Sequence, residues 1–378
     1  MADGEGPTAT TTAGLPYGVA RHNGKGRVVV AHGDDVIDLD QLHLTADGLP
    51  DGVFATSSLN PFMGCGPAVW RAVREQLVDL VAHRAVPENA RLPLADVELL
   101  LPFEVADYVD FYASEHHATN MGKILRPGTE PLPAAWRHLP IGYHGRSGTV
   151  MVSGAAIPRP VGIINTPDGP RYEPCRRLDV EVELGFVIGV PGQVFGAVLV
   201  NDWSARDIQA FEYQPLGPFL GKSFATSIAP WVVPLDALHD HWVEGPAQDP
   251  SPLPHLAAPE PRALDIELEL VLNGTVVSRT NARHLYWSMA QQLTHMTSNG
   301  ATTRTGDLFA SGTISGPEPD SLGSFMELSW GGTRPIDLDD GTTRTWLEDG
   351  DRVSIRGWCG ADVGFGEVVG TIVPSLAP

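Results

Sequence analysis

A chain of 378 residues is long for a single core, so two domains are the natural expectation. Its 41 glycines and 33 prolines exclude a fold of long helices and favour strands joined by turns and irregular loops. A net charge of −21 argues against nucleic acid or an anionic membrane as partner, suits a bound cation, and obliges any anionic substrate to find local basic residues.

The opening MADGEGPTATTTAGLP has neither a basic nor an apolar segment, so no signal peptide is expected and the cytoplasm is the expected location. Small polar residues over 1–14 read as a disordered tail. Val28-Val-Val-Ala31 and Val36-Ile-Asp-Leu39 flank a His-Gly-Asp-Asp turn, which is a hairpin signature. Val69, Val73, Leu77 and Val81 recur every four residues and predict a helix. Nothing here suggests chemistry. Residues 15–104 therefore read as a small supporting domain, with 89–104 crossing into a larger one over 105–378.

In the larger part, polar residues crowd into apolar surroundings. Residues 107–112 alternate, so Asp110 and Tyr112 share a face if they form a strand. Residues 178–184 alternate strictly, which puts Asp179, Glu181 and Glu183 on one face. The uncharged stretch 184–200 is interrupted at Pro191-Gly-Gln193, so it predicts two buried strands about a turn and no membrane span. With a two-residue turn at Pro191-Gly192, Asp202 returns opposite Glu181; a three-residue loop reverses that parity. Asn201, Asp202 or Ser204 then suits the cap of a short helix, with Asp202, Arg206, Gln209 and Tyr213 in one polar stripe. Leu285, Met289, Leu293 and Met296 predict a core-packing helix ended by Asn299-Gly300. GDLFASGTISG (306–316), FMELSW (325–330) and LEDGDRVSIRG (347–357) read as strands and turns.

Carboxylates along one strand face usually mean that the face is wet. Here the strand continues into Gly185-Phe-Val-Ile-Gly-Val190, apolar on both faces, where like charges repel unless a divalent cation holds them. Asp110, Glu181, Glu183 and Asp202 make an all-oxygen set suited to calcium or magnesium. Zinc is disfavoured, because the 13 histidines lack HExxH spacing and the three cysteines lack CxxC spacing. His117, near Asp110 in sequence, is either a structural histidine or a general base beside the metal. Glu327 either points outward from its strand or is buried to orient a histidine. Residues 217–224 imitate a phosphate loop, but its two glycines lie one residue too close and no strand leads in. Lys222 keeps its interest: only three of the 25 Lys and Arg residues are lysines, and a lysine suits a point charge.

Taken in order, LNPFMGCG (59–66), DFYASEHHATNMG (110–122), HLPIGYHGR (138–146), DVEVE (179–183), NDWSARDIQ (201–209), PLGPFLGKSFAT (215–226), GDLFASGTISG (306–316) and MELSW (326–330) resemble the fumarylacetoacetate hydrolase family over nearly the whole chain. The resemblance implies a mostly β (α+β) fold. A small N-terminal SH3-like β-barrel would precede a larger mixed β-sandwich or roll that carries catalysis, in a homodimer. It implies calcium bound by Asp110, Glu181, Glu183 and Asp202, and a second ion, magnesium, near Asp202, Lys222, Ala225 and Thr226. His117 and Glu327 become a catalytic pair, with Arg206, Gln209 and Lys222 beside them. Substrate contacts map to Tyr112, Arg126, Tyr143, Arg206, Gln209, Tyr213, Lys222 and Thr313. The activity implied is metal-dependent hydrolysis of a carbon–carbon bond in 4-fumarylacetoacetate, giving fumarate and acetoacetate at the end of tyrosine and phenylalanine catabolism. Arg126 then meets the need for a local basic residue.

Two residues depart from the family pattern: Ala225 stands where Gly is usual, and Phe211 where Trp is common. The alternatives are another superfamily activity on a related diketo acid (acylpyruvase, decarboxylase or hydratase), or a non-catalytic metal-binding protein. The last would have no use for the His117–Glu327 pair.

Overall fold

A computed structural model describes residues 14–376; the tail expected over 1–14 lies outside them except for Gly14. β1 (Tyr17–His22) turns through Asn23-Gly24 into β2 (Lys25–His32), which turns again into β3 (Asp35–Asp38). Asn23 and Gly24 take φ of 49° and 77°, as the tight turn of a twisted hairpin requires. α1 (Pro67–Ala82) buries Val69, Val73, Leu77 and Val81, the stripe its spacing predicts. The elements that carry or support the site follow: β4 (Tyr108–Phe111), α2 (Glu115–Leu125), β5 (Gly142–His144), β6 (Val182–Val190), β7 (Gln193–Asp202), α3 (Arg206–Glu212), β8 (Thr226–Ile228), β9 (Trp231–Pro234), α4 (Met289–Thr297), β10 (Leu308–Ala310) and α5 (Phe325–Leu328).

One 13-stranded sheet runs from Arg91–Pro93 through β3, β2, β1, β9, β7, β6, β10 and β4 to β5. The SH3-like closure expected of residues 15–104 is not seen. β1 shares its outer edge between Glu98–Leu99 and β9, so the front strands extend the larger sheet and no barrel closes. The junction is aromatic: Phe195 of β7 lies 5.2 to 5.8 Å, centroid to centroid, from Trp70, Tyr17 and Phe62. Gly189 of β6 admits Trp70, since an added Cβ would stand 2.3 Å from its ring. The larger of two apolar clusters therefore runs through both parts, and a smaller one gathers Ala20, Val29, Ala31, Val36 and Trp231.

A second sheet of five strands packs on β7 through Arg352–Cys359 and Val363–Val373. Close approach depends on Gly357, where a Cβ would come within 2.7 Å of Leu199. Among the described residues, no helix is long and apolar enough to cross a membrane.

Three elements differ from the sequence reading. FMELSW holds the one-turn helix α5 instead of a strand, because the Ser324 hydroxyl accepts from Glu327 N and caps it. The helix after β7 starts only at Arg206. Asp202 and Ser204 stay extended through their pairing with Thr226 and Asp179, so Asp202 leaves the helical stripe. α4 begins at Met289 behind a Ser288 capping box, which leaves Leu285 outside. Its buried residues are Gln291 and Gln292, whose amides bond to Gln248, Leu256 and Trp287.

Candidate active site

β6 and β7 keep the two-residue turn at Pro191-Gly192: Val190 faces Gln193 and, past a bulge near Ile188, Val182 faces Asn201. One step further, the Asp202 amide donates to the Glu181 carbonyl at 3.3 Å. On the other side of β6 lies β10, which carries β4 parallel to it with Gly185, Ala310 and Asp110 in line. Asp110, Glu181, Glu183 and Asp202 thereby bring carboxylate oxygens within 4.8 Å of one another, all buried.

Two cations face these four anions. Lys222 donates to Glu181 Oε2 and, at 2.6 Å, to Asp202 Oδ2. Arg206 donates at 2.7 Å from Nη2 to Glu181 Oε1 and from Nε to Asp179 Oδ2. Tyr143 and Thr226 donate their hydroxyls to Asp202 at 3.2 and 3.1 Å. Among the described residues, Asp110 Oδ1 and both Glu183 oxygens have no hydrogen-bond partner. Burial first, and then the neighbouring carboxylates, push Asp110 and Glu183 well above the usual carboxylate range. Burial acts on Glu181 in the same sense, but Lys222 and Arg206 override it and hold that carboxyl below its ordinary value. Burial would lower Lys222, and the Asp202 and Glu181 carboxylates raise it instead.

A buried anion without a donor costs several kcal/mol, so the orphaned oxygens call for a cation. Four carboxylates set against two cations, one of them shared with Asp179, leave a charge deficit that a divalent ion would offset. The donors are all oxygen, which fits a hard ion and not zinc.

Beside this cluster, Ser114 caps α2 by accepting His117 N at 3.3 Å. His117 Nδ1 bonds Glu327 Oε2 at 2.7 Å, and its Nε2 stands 3.8 Å from Glu181 Oε1. Glu327 also accepts from Asn120, Ser315 and Ser324 at 3.0, 2.9 and 2.8 Å. Burial would raise this carboxyl, but His117 and the hydrogen-bond donors hold it below its ordinary value. An ionised acceptor places an imidazole proton on Nδ1 and turns Nε2 toward the cluster. Asp179 connects the two regions. Its carboxylate accepts from Phe325 N and Met326 N at 2.7 and 3.1 Å and from Arg206, tying the helix that bears Glu327 to the cation on Glu181.

The other candidates sit around this frame. Gln209 accepts from Arg206 Nη1 at 3.3 Å, and the Tyr112 ring meets His117 edge-on at 5.3 Å. Thr313 is buried, and its hydroxyl has no partner among the described residues. Ala225 is buried and its φ is not positive, so its methyl group brings no backbone strain where Gly is usual. Arg126 donates to Pro131 O at 2.8 Å and Tyr213 accepts from Gln214 at 3.0 Å; neither is bonded to the cluster. Sequence reasoning missed Asn120, Ser315, Ser324 and the linking role of Asp179. Ser324 carried a signal, the Ser-x-x-Glu spacing of a helix cap. Ser315 carried none.

The family model described as Fumarylacetoacetate (FAA) hydrolase C-terminal matches residues 107–373, and the one described as Fumarylacetoacetase N-terminal matches residues 13–102. Fumarylacetoacetase of Mus musculus is 46% identical over 404 aligned residues, covering 96% of each chain. That of Homo sapiens is 45% identical with the same coverage. Among solved structures, the fumarylacetoacetate hydrolase of Exiguobacterium antarcticum aligns with a TM-score of 0.57 at 18% identity, covering 95% of this chain and 99% of that one, which is a likeness of fold.

Proposed function

The chain belongs to the fumarylacetoacetate hydrolase family, and from that membership we infer its reaction: hydrolysis of the carbon–carbon bond of 4-fumarylacetoacetate to fumarate and acetoacetate, the last step of tyrosine and phenylalanine catabolism. The observation that carries the reading is the buried His117–Glu327 pair, with Nε2 turned toward four carboxylates. A purely structural metal site has no use for such a base.

The residues divide the work as follows. Glu327 keeps His117 Nδ1 protonated, so Nε2 takes a proton from water. The hydroxide attacks the carbonyl carbon of the fumaryl half. The bond to the neighbouring methylene carbon breaks, its electron pair passes into the enolate of acetoacetate, and the imidazolium returns a proton to that fragment. Arg206 on Glu181, Lys222 on Glu181 and Asp202, and Gln209 bonded to Arg206 would stabilise the enolate charge. Tyr112, Arg126, Tyr143, Tyr213 and Thr313 are the proposed substrate contacts, with Arg126 as a cation for one carboxylate. A divalent ion held by Asp110, Glu181, Glu183 and Asp202 would supply Lewis acidity to the substrate carbonyls.

We take calcium as that ion and magnesium as a second one near Asp202, Lys222, Ala225 and Thr226. A homodimer in the cytoplasm completes the proposal, on the strength of the family resemblance. The test is to mix the purified protein with fumarylacetoacetate, with and without a chelator. Diketone absorbance should decay and chelation should stop the decay; absorbance that persists with calcium present sinks the reading.

A further inference from the structure

The Nε and Nη2 groups of a guanidinium form one edge, whose two parallel N–H groups commonly grip a single carboxylate as a bidentate pair. In Arg206 that edge is divided. Nε gives to Asp179 Oδ2 and Nη2 to Glu181 Oε1, each at 2.7 Å, and all three side chains are buried. Gln209 Oε1 accepts from the remaining corner, Nη1, at 3.3 Å. Glu181 therefore receives one N–H from Arg206 and, on its other oxygen, the Lys222 ammonium. A carboxylate has about four lone-pair sites, so these two donors leave Glu181 oxygen lone pairs for an ion.

Asp179 is fixed in place as an acceptor. Its Oδ1 accepts from Val180 N at 2.8 Å and Phe325 N at 2.7 Å, and its Oδ2 from Met326 N at 3.1 Å besides Arg206. Three of these donors are backbone amides, from its own strand and from the first turn of α5, so the carboxylate cannot follow the guanidinium. The start of α3 is anchored beside it: Asp179 pairs with Ser204, and Arg206 N donates to Arg177 O at 2.9 Å. Every group that meets Asp179 is a donor. An asparagine there would turn its NH2 against two N–H groups in either orientation.

We propose that Asp179 is a positioning residue for the cation site: by holding Arg206 Nε, it keeps the guanidinium from closing its whole edge on Glu181 and so keeps Glu181 available to a metal ion. The proposal rests on the reading of Asp110, Glu181, Glu183 and Asp202 as a cation site. Glu181, already on Nη2, is the carboxylate on which a released edge would close. A bidentate pair there is stronger than the single bond it replaces, occupies a further lone pair, and draws positive charge toward the place where the ion sits. A residue outside the ligand set thus controls how strongly the set binds.

Titration calorimetry with calcium reads this without turnover. Asp179→Asn should weaken calcium binding about 10- to 100-fold, the range for outer partners of metal ligands. Arg206→Met should bind calcium at least as tightly as wild type, because it removes a cation from Glu181. The double variant should match Arg206→Met within about twofold, since Asp179 then has no guanidinium to divide. A merely structural role would leave the loss in place in that background. A double variant several-fold weaker than Arg206→Met overturns the proposal, as do unchanged binding in Asp179→Asn and binding weaker than wild type in Arg206→Met. Where circular dichroism shows that Asp179→Asn alone does not fold, the double variant against Arg206→Met decides; a double variant that does not fold either makes Asp179 structural and overturns the proposal. Wild type that takes up no calcium removes the cation reading and this proposal together. Wild type that binds calcium alongside any of the failures above removes this proposal alone.

Discussion

Glu327 and Glu183 are both buried carboxylates, 1% and 0% exposed, yet among the described residues Glu327 accepts from four donors and Glu183 from none. The region around Glu327 is complete in itself: donors hold the carboxylate ionised, and the carboxylate holds the imidazole. The region around Glu183 is incomplete, with like charges gathered and too few donors to satisfy them. On the proposed roles, a pair that moves protons has to be in place before substrate arrives, whereas a site for a cation can leave part of its charge for the ion to balance. The two regions should therefore fail in different ways.

The largest effect is expected at the complete region. His117→Ala and Glu327→Gln should each cut kcat by about 10²- to 10⁴-fold, the range of lost acid–base catalysis, while circular dichroism and cation affinity stay close to wild type. Near-wild-type turnover in either variant would end the assignment of the pair. Glu183→Gln should do the reverse in binding, lowering cation affinity by more than the roughly 10- to 100-fold that outer partners of metal ligands cost, as titration calorimetry would read. Its metal-free form should melt no lower than metal-free wild type, because a neutral amide replaces a carboxyl that resists ionisation. A metal-free variant that melts well below wild type would mean that Glu183 has a partner the hydrogen-bond pattern lacks.

pH sharpens the contrast by a smaller amount. Asp110 and Glu183 are raised above ordinary values of 3.8 and 4.5 by burial and by neighbouring carboxylates. Both bind protons more tightly folded than unfolded. Their contribution to stability is thus fully present below the ordinary values and is lost as pH rises through the raised ones. Glu327 is lowered from 4.5, so its contribution has the opposite sign: present above 4.5 and lost as pH falls through the folded value. Chelated protein should therefore lose melting temperature as pH climbs out of the acid range, and calcium should flatten that limb by replacing the protons. The acid limb, which belongs to Glu327 and to Glu181, both held below their ordinary values, should persist with or without calcium. Chelated and loaded proteins with the same rising-pH limb would dissolve the distinction between the regions.

Much of the frame was legible in the sequence where one local choice decides a long-range result. Alternation over 178–184 left only parity open for Asp202, and the two-residue turn at Pro191-Gly192 decided it. The stripe on α1 needed no more than its four-residue recurrence. α5 was not legible by periodicity, because an acid inside an apolar run looks the same on a short strand as on one turn of helix. The joining of the front strands to the larger sheet pairs Tyr17 with Val232, a contact that no local pattern announces. Part of the donor supply around Glu327 escaped for the same reason, since Asn120 and Ser315 reach it from separate segments.

Ser315 tests how far the complete region is over-determined, with the smallest effect of the set. Its hydroxyl donates to Glu327 at 2.9 Å and accepts from Gly323 N at 3.0 Å. Ser315→Ala removes one of the four bonds to the carboxylate and leaves the Gly323 amide short of a partner, at a cost of about 1 to 3 kcal/mol in stability. His117, Asn120 and Ser324 still hold Glu327 ionised, so Nδ1 keeps its proton and Nε2 remains the base. kcat should then fall only a few-fold, about what a single neutral hydrogen bond supplies, while the pH profile keeps its shape. A loss approaching that of Glu327→Gln would mean that the pair depends on each donor separately, and that its completeness is as conditional as that of the carboxylate cluster beside it.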